Sequence, residues 1–252
     1  MGAQSKSGSC KFRPSTTGSL RSPSAQELDE IMCGRFTLTT NPAETQDAFR
    51  GFGFPPVFAP RFNIAPSQPL LAIPNDGTKQ ATFFLWGFMP TWAKDSNFDR
   101  RLINARGETL AEKPSFKGAY KYRRCLILAD GFYEWKTLAG RKTPHFIFMK
   151  SRQPFAFAGL WSDWESADGS TLKTCAIITT EPNELMRPIH KRMPVILPPS
   201  AYRAWLDPRP RNDLQPLLKP YPAEKMDAYP VSTIVNNPTN ERAECVVPNT
   251  LF

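Results

Sequence analysis

The stretch CLILADGFYEWK, residues 125–136, places two β-rich runs on either side of turn-forming residues. The first run, Cys125–Leu128, is apolar throughout, as in a strand buried on both faces. The second, Phe132–Lys136, alternates, so that Tyr133 and Glu134 fall on opposite faces of a strand. This stretch therefore predicts two consecutive strands joined by a tight connection.

The same punctuation of short β-rich runs by turn residues continues along the chain from residue 33. Asn41 caps a predicted helix with Pro42 at its first position. The 26 prolines favour many short connections over long crossover helices. The sequence thus predicts an α+β fold over residues 33–252, a single domain with a curled, mostly antiparallel, barrel-like sheet and peripheral helices. Further strands are predicted at 35–39, 70–73, 81–86, 145–149, 155–160, 174–179, 195–197 and 231–235, and further helices at 108–112, 184–189, 200–206 (capped by Ser200) and 214–218.

The net positive charge of the chain indicates which classes of binding partner are favoured. The chain of 252 residues carries a formal charge of +9, and only +1 of it lies in residues 1–31. A basic folded body favours polyanionic partners, nucleic acid first and anionic membrane surfaces second. A merely soluble basic protein fits the charge equally well, so both interpretations stay open.

The five cysteines form no CxxC pair and no Cys/His cluster with zinc spacing. Cys125, Cys175 and Cys245 adjoin apolar runs, where a free cysteine behaves as a small core hydrophobe. No apolar stretch approaches the roughly 18 residues that span a bilayer, and no secretory signal is present. We expect a reduced, intracellular protein with no membrane segment and no metal or other cofactor.

Residues 1–31 are rich in Ser and Gly, with scattered Lys and Arg and no acidic residue before Glu27. Such a composition cannot bury a core, which predicts a disordered extension that is absent or removed in the mature protein. An incorrectly assigned start, a remnant of cloning and a transit-like peptide are all compatible with it.

Cys33 directly follows Met32. If Met32 is an initiator that is removed, Cys33 presents a free amine with a pKa near ~8 beside a thiol with a pKa near ~8.5. Together these groups trap an aldehyde, because the amine forms an imine and the thiol closes on it as a thiazolidine. If residues 1–31 stay attached, the nitrogen is an amide and this chemistry is lost.

Three other residues are candidates for acid–base chemistry. His190 lies among cations that keep it a neutral base, although a histidine capping a helix end is the alternative. Glu134 is flanked by aromatic residues that would desolvate it and suit it to proton transfer, with a solvated strand face as the alternative. His145 begins an apolar strand, which favours a packed position or one at the solvent edge.

A nucleic-acid surface has its own candidates. Asn104 can orient a substrate group through its amide donor and acceptor. Trp92 and Pro66 offer platforms for unstacked bases, whereas Trp86 lies in an apolar strand and is predicted to fill the core. A basic stretch can follow a phosphate backbone or form one solvated face. It comprises Arg100, Arg101, Arg106, Lys113, Lys117, Lys121, Arg123 and Arg124.

Seven motifs follow one another along the chain. They are MCGRF (32–36), RFNIAP (61–66), WGFMPTW (86–92), INARGET (103–109), ADGFYEW (129–135), IHKRMPVIL (189–197) and VSTIVNN (231–237). In this order they resemble the SOS response-associated peptidase family, the abasic-site-processing proteins, and the resemblance spans essentially all of residues 33–240.

The resemblance implies a monomeric protein whose N-terminal cysteine crosslinks abasic sites in single-stranded DNA, in a DNA-damage or SOS response. It assigns catalysis to Cys33, Asn104, Glu134 and His190. DNA binding is assigned to Arg35, Asn63, Pro66, Trp92, Arg106 and Arg192. Ala93 stands where some relatives have a second tryptophan, so the stacking wedge is expected to be smaller.

The resemblance also implies a cytoplasmic, nucleoid-associated location and removal by the protein of the residues before its own Cys33. Whether the protein also cleaves the strand as an AP lyase stays open. Two other function classes stay open. One is a self-processing cysteine peptidase of the N-terminal nucleophile type. The other is a non-covalent binder of single-stranded nucleic acid, indifferent to the lesion.

Overall fold

The computed structural model describes residues 34–93, 102–165 and 169–249. Cys33, the predicted extension 1–31, and Arg100 and Arg101 of the basic stretch therefore lie outside the described residues. The strands are β1 (Arg35–Leu38), β2 (Arg61–Ile64), β3 (Pro69–Pro74), β4 (Thr82–Trp86), β5 (Asn104–Arg106), β6 (Arg124–Ala129), β7 (Gly131–Leu138), β8 (Arg141–Met149), β9 (Phe155–Glu165), β10 (Thr171–Thr180), β11 (Met193–Pro194), β12 (Ile196–Leu197) and β13 (Met226–Pro230).

Five strands close into a barrel in the order β10, β4, β3, β6, β9 and back to β10. The pairing of β4 with β10 is parallel, and the other four pairings are antiparallel. All six residues of β6 are buried. At Gly159 of β9 an added Cβ would lie 2.8 Å from Cys125 Sγ, so only glycine allows this approach. The expected curled, mostly antiparallel sheet is confirmed.

A second sheet of five strands has the order β13, β8, β7, β1, β2. Phe36 of β1 joins it to the barrel, with ring centroids 5.2 Å from Trp86 and 5.7 Å from Phe157. Trp86 is fully buried, as predicted. Because β1 pairs with both β7 and β2, the strand that follows Cys33 is interior to its sheet.

The connection inside residues 125–136 carries the chain from the barrel into the second sheet. Asp130, between β6 and β7, accepts hydrogen bonds from the amide of Thr40 (2.6 Å) and the hydroxyl of Thr39 (2.7 Å). Its own amide donates to Thr37 O at 3.0 Å. At Gly131 an added Cβ would lie 2.2 Å from Phe146 Cζ. The turn between the two predicted strands thus fixes the end of β1.

The helices are short: α1 (Pro42–Ala48), α2 (Lys117–Tyr122) and α3 (Pro199–Trp205). The predicted cap is confirmed, since Asn41 Oδ1 accepts from the amide of Glu44 at 3.0 Å. The predicted Ser200 cap is wrong: Pro198 is the N-cap, because its extended backbone and the fixed φ of Pro199 start the helix earlier.

Four other predicted elements are also corrected. The helices at 108–112 and 214–218 are single 3₁₀ turns, Gly107–Thr109 and Gln215–Leu217. Residues 184–189 form turns, because Pro188 has no N–H to continue a helix. The strand at 231–235 is instead the 3₁₀ helix Thr233–Asn236, which Ser232 caps through its hydroxyl.

Residues 231–249, here called the covering segment, close over the outer face of the second sheet. They contain the 3₁₀ helices Thr233–Asn236 and Ala243–Val246. Val231, Val235 and Cys245 of this segment cluster with buried aromatic side chains of β7 and β8. Within the described ranges, no helix has the length and apolarity that crossing a membrane requires.

Candidate active site and nucleic-acid interface

Glu134 lies on the inner face of the second sheet. It is 2% exposed, and strand alternation puts it on the same side as Phe132, which pairs with Phe36 of β1. The first residue of β1, Arg35, pairs with Tyr133, so Glu134 is the next residue of β7 beyond the start of β1. The solvated strand face considered for Glu134 is therefore excluded.

Arg35 projects from the other face of β1 and holds the covering segment. Its guanidinium donates to Asn63 Oδ1 at 3.0 Å, to Val235 O at 2.6 Å and to Asn236 O at 2.9 Å. Burial lowers the pKa of Arg35 from its ordinary value. The predicted phosphate contact of Arg35 stays a prediction, but these hydrogen bonds already fix its side chain.

Asn63 of β2 is fully buried beside Arg35. Its amide nitrogen lies 3.2 Å from Val235 O, 3.1 Å from Asn237 O and 3.0 Å from Asn240 O. A buried amide satisfied in this way is well placed to fix the covering segment on the sheet. Direct contact of Asn63 with DNA, which the resemblance implies, remains a prediction.

β5 carries Asn104 and Arg106 along the barrel rim. It runs parallel to β10, with Asn104 opposite Ile177 and Arg106 opposite Thr179. Arg106 is exposed and Asn104 half-buried. The indole N–H of Trp86 donates to Ile103 O at 2.9 Å, and the Trp86 ring contacts Phe36. A continuous set of contacts therefore joins the start of β1 to the residue before Asn104.

Arg192 lies against the same end of β10. It forms two hydrogen bonds to the Glu108 carboxylate, at 2.6 and 2.8 Å, and donates to Thr179 O at 2.8 Å. This hydrogen bonding to Arg192 is the main cause that lowers the pKa of Glu108. Since Arg106 pairs with Thr179 as well, both arginines lie at one place on the barrel rim.

His190 lies just before this arginine and is half-buried. The Arg192 amide donates to His190 Nδ1 at 3.2 Å, which fixes the ring against its own loop. The backbone amide of His190 donates to Met186 O at 2.8 Å. His190 Nδ1 also lies 3.3 Å from Arg192 O, so both of these contacts of Nδ1 are with the main chain of Arg192.

The two predicted stacking residues differ in exposure. Trp92 is 66% exposed in the loop after Trp86, and the Trp164 indole anchors that loop by donating to Ala93 O at 2.7 Å. Pro66 is half-buried before Ser67, whose φ is 66°. Trp92 thus presents an aromatic face to solvent, as base stacking requires.

Arg124, a member of the predicted basic stretch, is not on the surface. It is fully buried, and its guanidinium makes five hydrogen bonds to main-chain carbonyls. The acceptors are Trp205 O, Tyr120 O, Lys121 O, Asp207 O and Arg209 O. The prediction that Arg124 belongs to a solvated charged face or binds a phosphate backbone is wrong, because its guanidinium is buried and hydrogen-bonded to the main chain.

The described candidates fall into two groups. Glu134, Arg35 and Asn63 belong to the second sheet, and Asn104, Arg106, His190 and Arg192 to the barrel rim. The Phe36–Trp86 contact connects the two groups. Cys33 lies outside the described residues, two positions before Arg35.

His145 lies next to Glu134, a position that its sequence motif did not predict. It pairs directly with Glu134 across β7 and β8 and is half-buried. Its Nδ1 lies 3.0 Å from Thr143 O. Burial is the main cause that lowers its pKa, and nearby Lys136 lowers it further. The register between the predicted strands would have revealed this pairing, but two separate runs do not fix a register.

The fold also occurs in solved structures. A crystal structure of a protein from Bacteroides thetaiotaomicron matches with a TM-score of 0.77 at 26% identity, covering 86% of this chain and 100% of that chain. Residues 32–238 match the family model described as SOS response associated peptidase (SRAP). The chain therefore belongs to this family.

Two curated relatives have names that describe an activity. The abasic site processing protein YoqW of Bacillus subtilis is 48% identical over 221 residues, which are 85% of this chain and 99% of the relative. The abasic site processing protein HMCES of Gallus gallus is 35% identical over 189 residues, 65% of this chain and 56% of the relative.

Proposed function

We propose that this protein captures abasic sites in single-stranded DNA as a covalent thiazolidine formed by Cys33. The observation that carries the proposal is the start of the family match at Met32, which leaves Cys33 as the second residue of the family's portion of the chain. An N-terminal cysteine requires that residues 1–32 be absent or removed. The relatives named for abasic-site processing support the substrate class.

The fold supports an active site at the start of β1. Two residues span at most about 7 Å, so connectivity alone keeps Cys33 close to Arg35. Arg35 pairs with Tyr133, whose neighbour Glu134 is buried. A buried carboxyl group beside an aldehyde-trapping amine suits proton transfer.

The chemistry balances without a cofactor. The amine of Cys33 adds to the aldehyde of the opened deoxyribose, and loss of water gives an imine. The thiol then adds across the C=N bond: sulfur bonds to carbon, and the thiol proton passes to nitrogen. Glu134 and His190 would move protons during ring opening and dehydration, and Asn104 would orient the opened sugar. Held in place, the thiol benefits from effective molarities that reach ~10⁵ M or more.

The surface around this site suits single-stranded DNA. Trp92 is exposed for stacking, and Arg106 is exposed on β5. Arg35 and Arg192 would contact phosphates through their guanidinium groups. Hydrogen bonds to Val235 O and to the Glu108 carboxylate already position these two side chains. We assign Pro66 and Asn63 to shaping this surface beside them.

The test compares two chains, the full 252 residues and a chain whose first residue after initiator removal is Cys33. Each is mixed with single-stranded oligonucleotide with or without one abasic site. We expect a heat-stable shifted band only with the abasic strand and the chain that begins at Cys33. Cys33→Ala should abolish it, and Cys33→Ser should form an imine that requires borohydride trapping. A band that survives Cys33→Ala contradicts the linkage.

The full chain tests self-removal of the extension in the same experiment. The Cys33 thiol would attack the Met32 carbonyl and release a free amine, with water then hydrolysing the thioester. The family description as a peptidase supports this second activity. Intact mass should show a chain beginning at Cys33 for wild type and an unprocessed chain for Cys33→Ala. An unprocessed wild type contradicts self-removal.

A further inference from the structure

A buried carboxyl group that moves protons needs a route to solvent. Glu134 is 2% exposed, and the proposed reaction begins from an N-terminal ammonium group that must lose a proton before it attacks. If Glu134 receives that proton, it has to pass the proton on before it acts again. The question is which neighbouring group reaches both Glu134 and water.

His145 meets both requirements. It lies directly opposite Glu134 in the antiparallel pairing of β7 and β8, on the same face of the sheet. Side chains paired in this way have Cβ atoms about 4.5–5.5 Å apart, within reach of a carboxylate and an imidazole. His145 is half-buried, whereas Glu134 is enclosed. The pairing therefore places a partly exposed imidazole next to an enclosed carboxyl group.

The ring of His145 has a defined orientation for this role. Its Nδ1 lies 3.0 Å from Thr143 O. A carbonyl oxygen only accepts, so Nδ1 carries the proton of the neutral ring and Nε2 has the free lone pair. His145 thus offers a proton acceptor to its surroundings.

The two charged groups that face His145 from β7 act in opposite directions: Lys136 disfavours the imidazolium, and a Glu134 carboxylate favours it. Glu134 lies directly opposite His145, and Lys136 lies two residues further along β7, opposite Thr143. From β13 the facing residues are Pro230 and Ala228, which carry no charge. Burial is the main cause that lowers the pKa of His145, and Lys136 lowers it further, so the resting ring is neutral at neutral pH and its Nε2 lone pair is available.

We propose that His145 relays protons between Glu134 and solvent. The inference rests on the proposed function and deepens it. In the first step the Glu134 carboxylic acid gives its proton to His145 Nε2, leaving a carboxylate and an imidazolium. In the second step Nε2 gives that proton to water or a buffer base, which restores the neutral ring. His145 acts through Glu134 and does not touch the substrate.

The test measures single-turnover crosslinking of abasic single-stranded oligonucleotide by the chain that begins at Cys33, in weak buffer and with added imidazole. We expect His145→Gln to slow the reaction by roughly 10- to 100-fold in weak buffer. The upper value equals the smallest rate enhancement typical of a positioned general acid or base, about 100-fold. Added imidazole should restore most of the rate, because a mobile base replaces the missing ring. Lys142→Gln, on the opposite face of the same strand, is the matched control and should match wild type.

Folding is checked separately by thermal unfolding and by non-covalent binding of intact single-stranded oligonucleotide, both of which should match wild type. A His145→Gln rate equal to wild type overturns the relay, and so does a deficit that imidazole leaves in place. If wild type forms no crosslink at all, the proposed function and the relay both fail. A crosslink in wild type with an unaffected variant overturns the relay alone.

Discussion

The barrel and the second sheet bury polar groups in different ways, as their consecutive strands β6 and β7 show. β6 belongs to the barrel: its single charged side chain, Arg124, is enclosed by five main-chain carbonyls. β7 belongs to the second sheet and buries Glu134 directly opposite His145 of β8. A guanidinium fully satisfied by carbonyls stabilises a fold, whereas a carboxyl group next to an imidazole can exchange protons.

The largest expected effect comes from the barrel. Arg124→Leu should lower the free energy of unfolding by about 3–5 kcal/mol, because five buried carbonyls lose their donor and each unsatisfied group costs about 1–3 kcal/mol before relaxation. Urea denaturation followed by tryptophan fluorescence measures this change.

Arg124→Lys is the matched variant. It keeps the charge but supplies one ammonium group in place of a planar fork, so it should recover only part of the loss. If Arg124→Leu unfolds at the same urea concentration as wild type, the carbonyl cluster around Arg124 does not stabilise the barrel.

A smaller effect is expected where the covering segment meets the second sheet. Asn63→Ala removes the amide that reaches Val235 O, Asn237 O and Asn240 O. We expect a loss of about 2 kcal/mol in the free energy of unfolding, since solvent can reach part of this cluster. Hydrogen exchange should accelerate first in residues 231–249. If hydrogen exchange accelerates equally in the barrel, the covering segment does not unfold independently of the barrel.

The smallest effect concerns the ion pair at the barrel rim. Glu108 is half-exposed, and hydrogen bonding to Arg192 lowers its pKa below the ordinary 4.5. A lowered carboxyl pKa stabilises the folded state above the unfolded-state pKa, and this stabilisation disappears as the pH falls through the folded-state pKa. Glu108→Gln should therefore cost less than about 1 kcal/mol at neutral pH.

The pH dependence distinguishes this pair from a neutral contact. The difference in unfolding free energy between wild type and Glu108→Gln should shrink progressively below about pH 4.5 and with added salt. A difference that stays constant from pH 7 to strongly acidic conditions would exclude the ion pair as its source.

Patterns among neighbouring residues correctly predicted several strands and the start of one helix. An apolar run predicted β6, an alternating run after the turn residues predicted β7, and the Asn41–Pro42 pair predicted the start of α1. Glu134 was identified as a candidate from its aromatic neighbours, but alternation alone did not determine which face is buried. The core sheet could thus be anticipated, although the enclosure of its carboxyl group could not.

The rest depends on contacts between distant residues. Arg124 resembles any other member of a basic stretch until the chain brings Trp205, Asp207 and Arg209 around it. Residues 231–235 have strand-like composition, yet after Val231 the chain leaves the extended conformation at the Ser232 cap and forms the 3₁₀ helix Thr233–Asn236. The pairing of His145 with Glu134 likewise needs the register of β7 on β8.

The central position of β1 has a consequence for how the protein can be made. Chain ends usually fray unless they are tied down. β1 is hydrogen-bonded along both sides, to β7 and to β2, so its order does not rely on what precedes it. A cut at the Met32–Cys33 bond therefore leaves every strand pairing of β1 intact. The new N-terminus at Cys33 would then lie two residues before a strand that is paired on both sides.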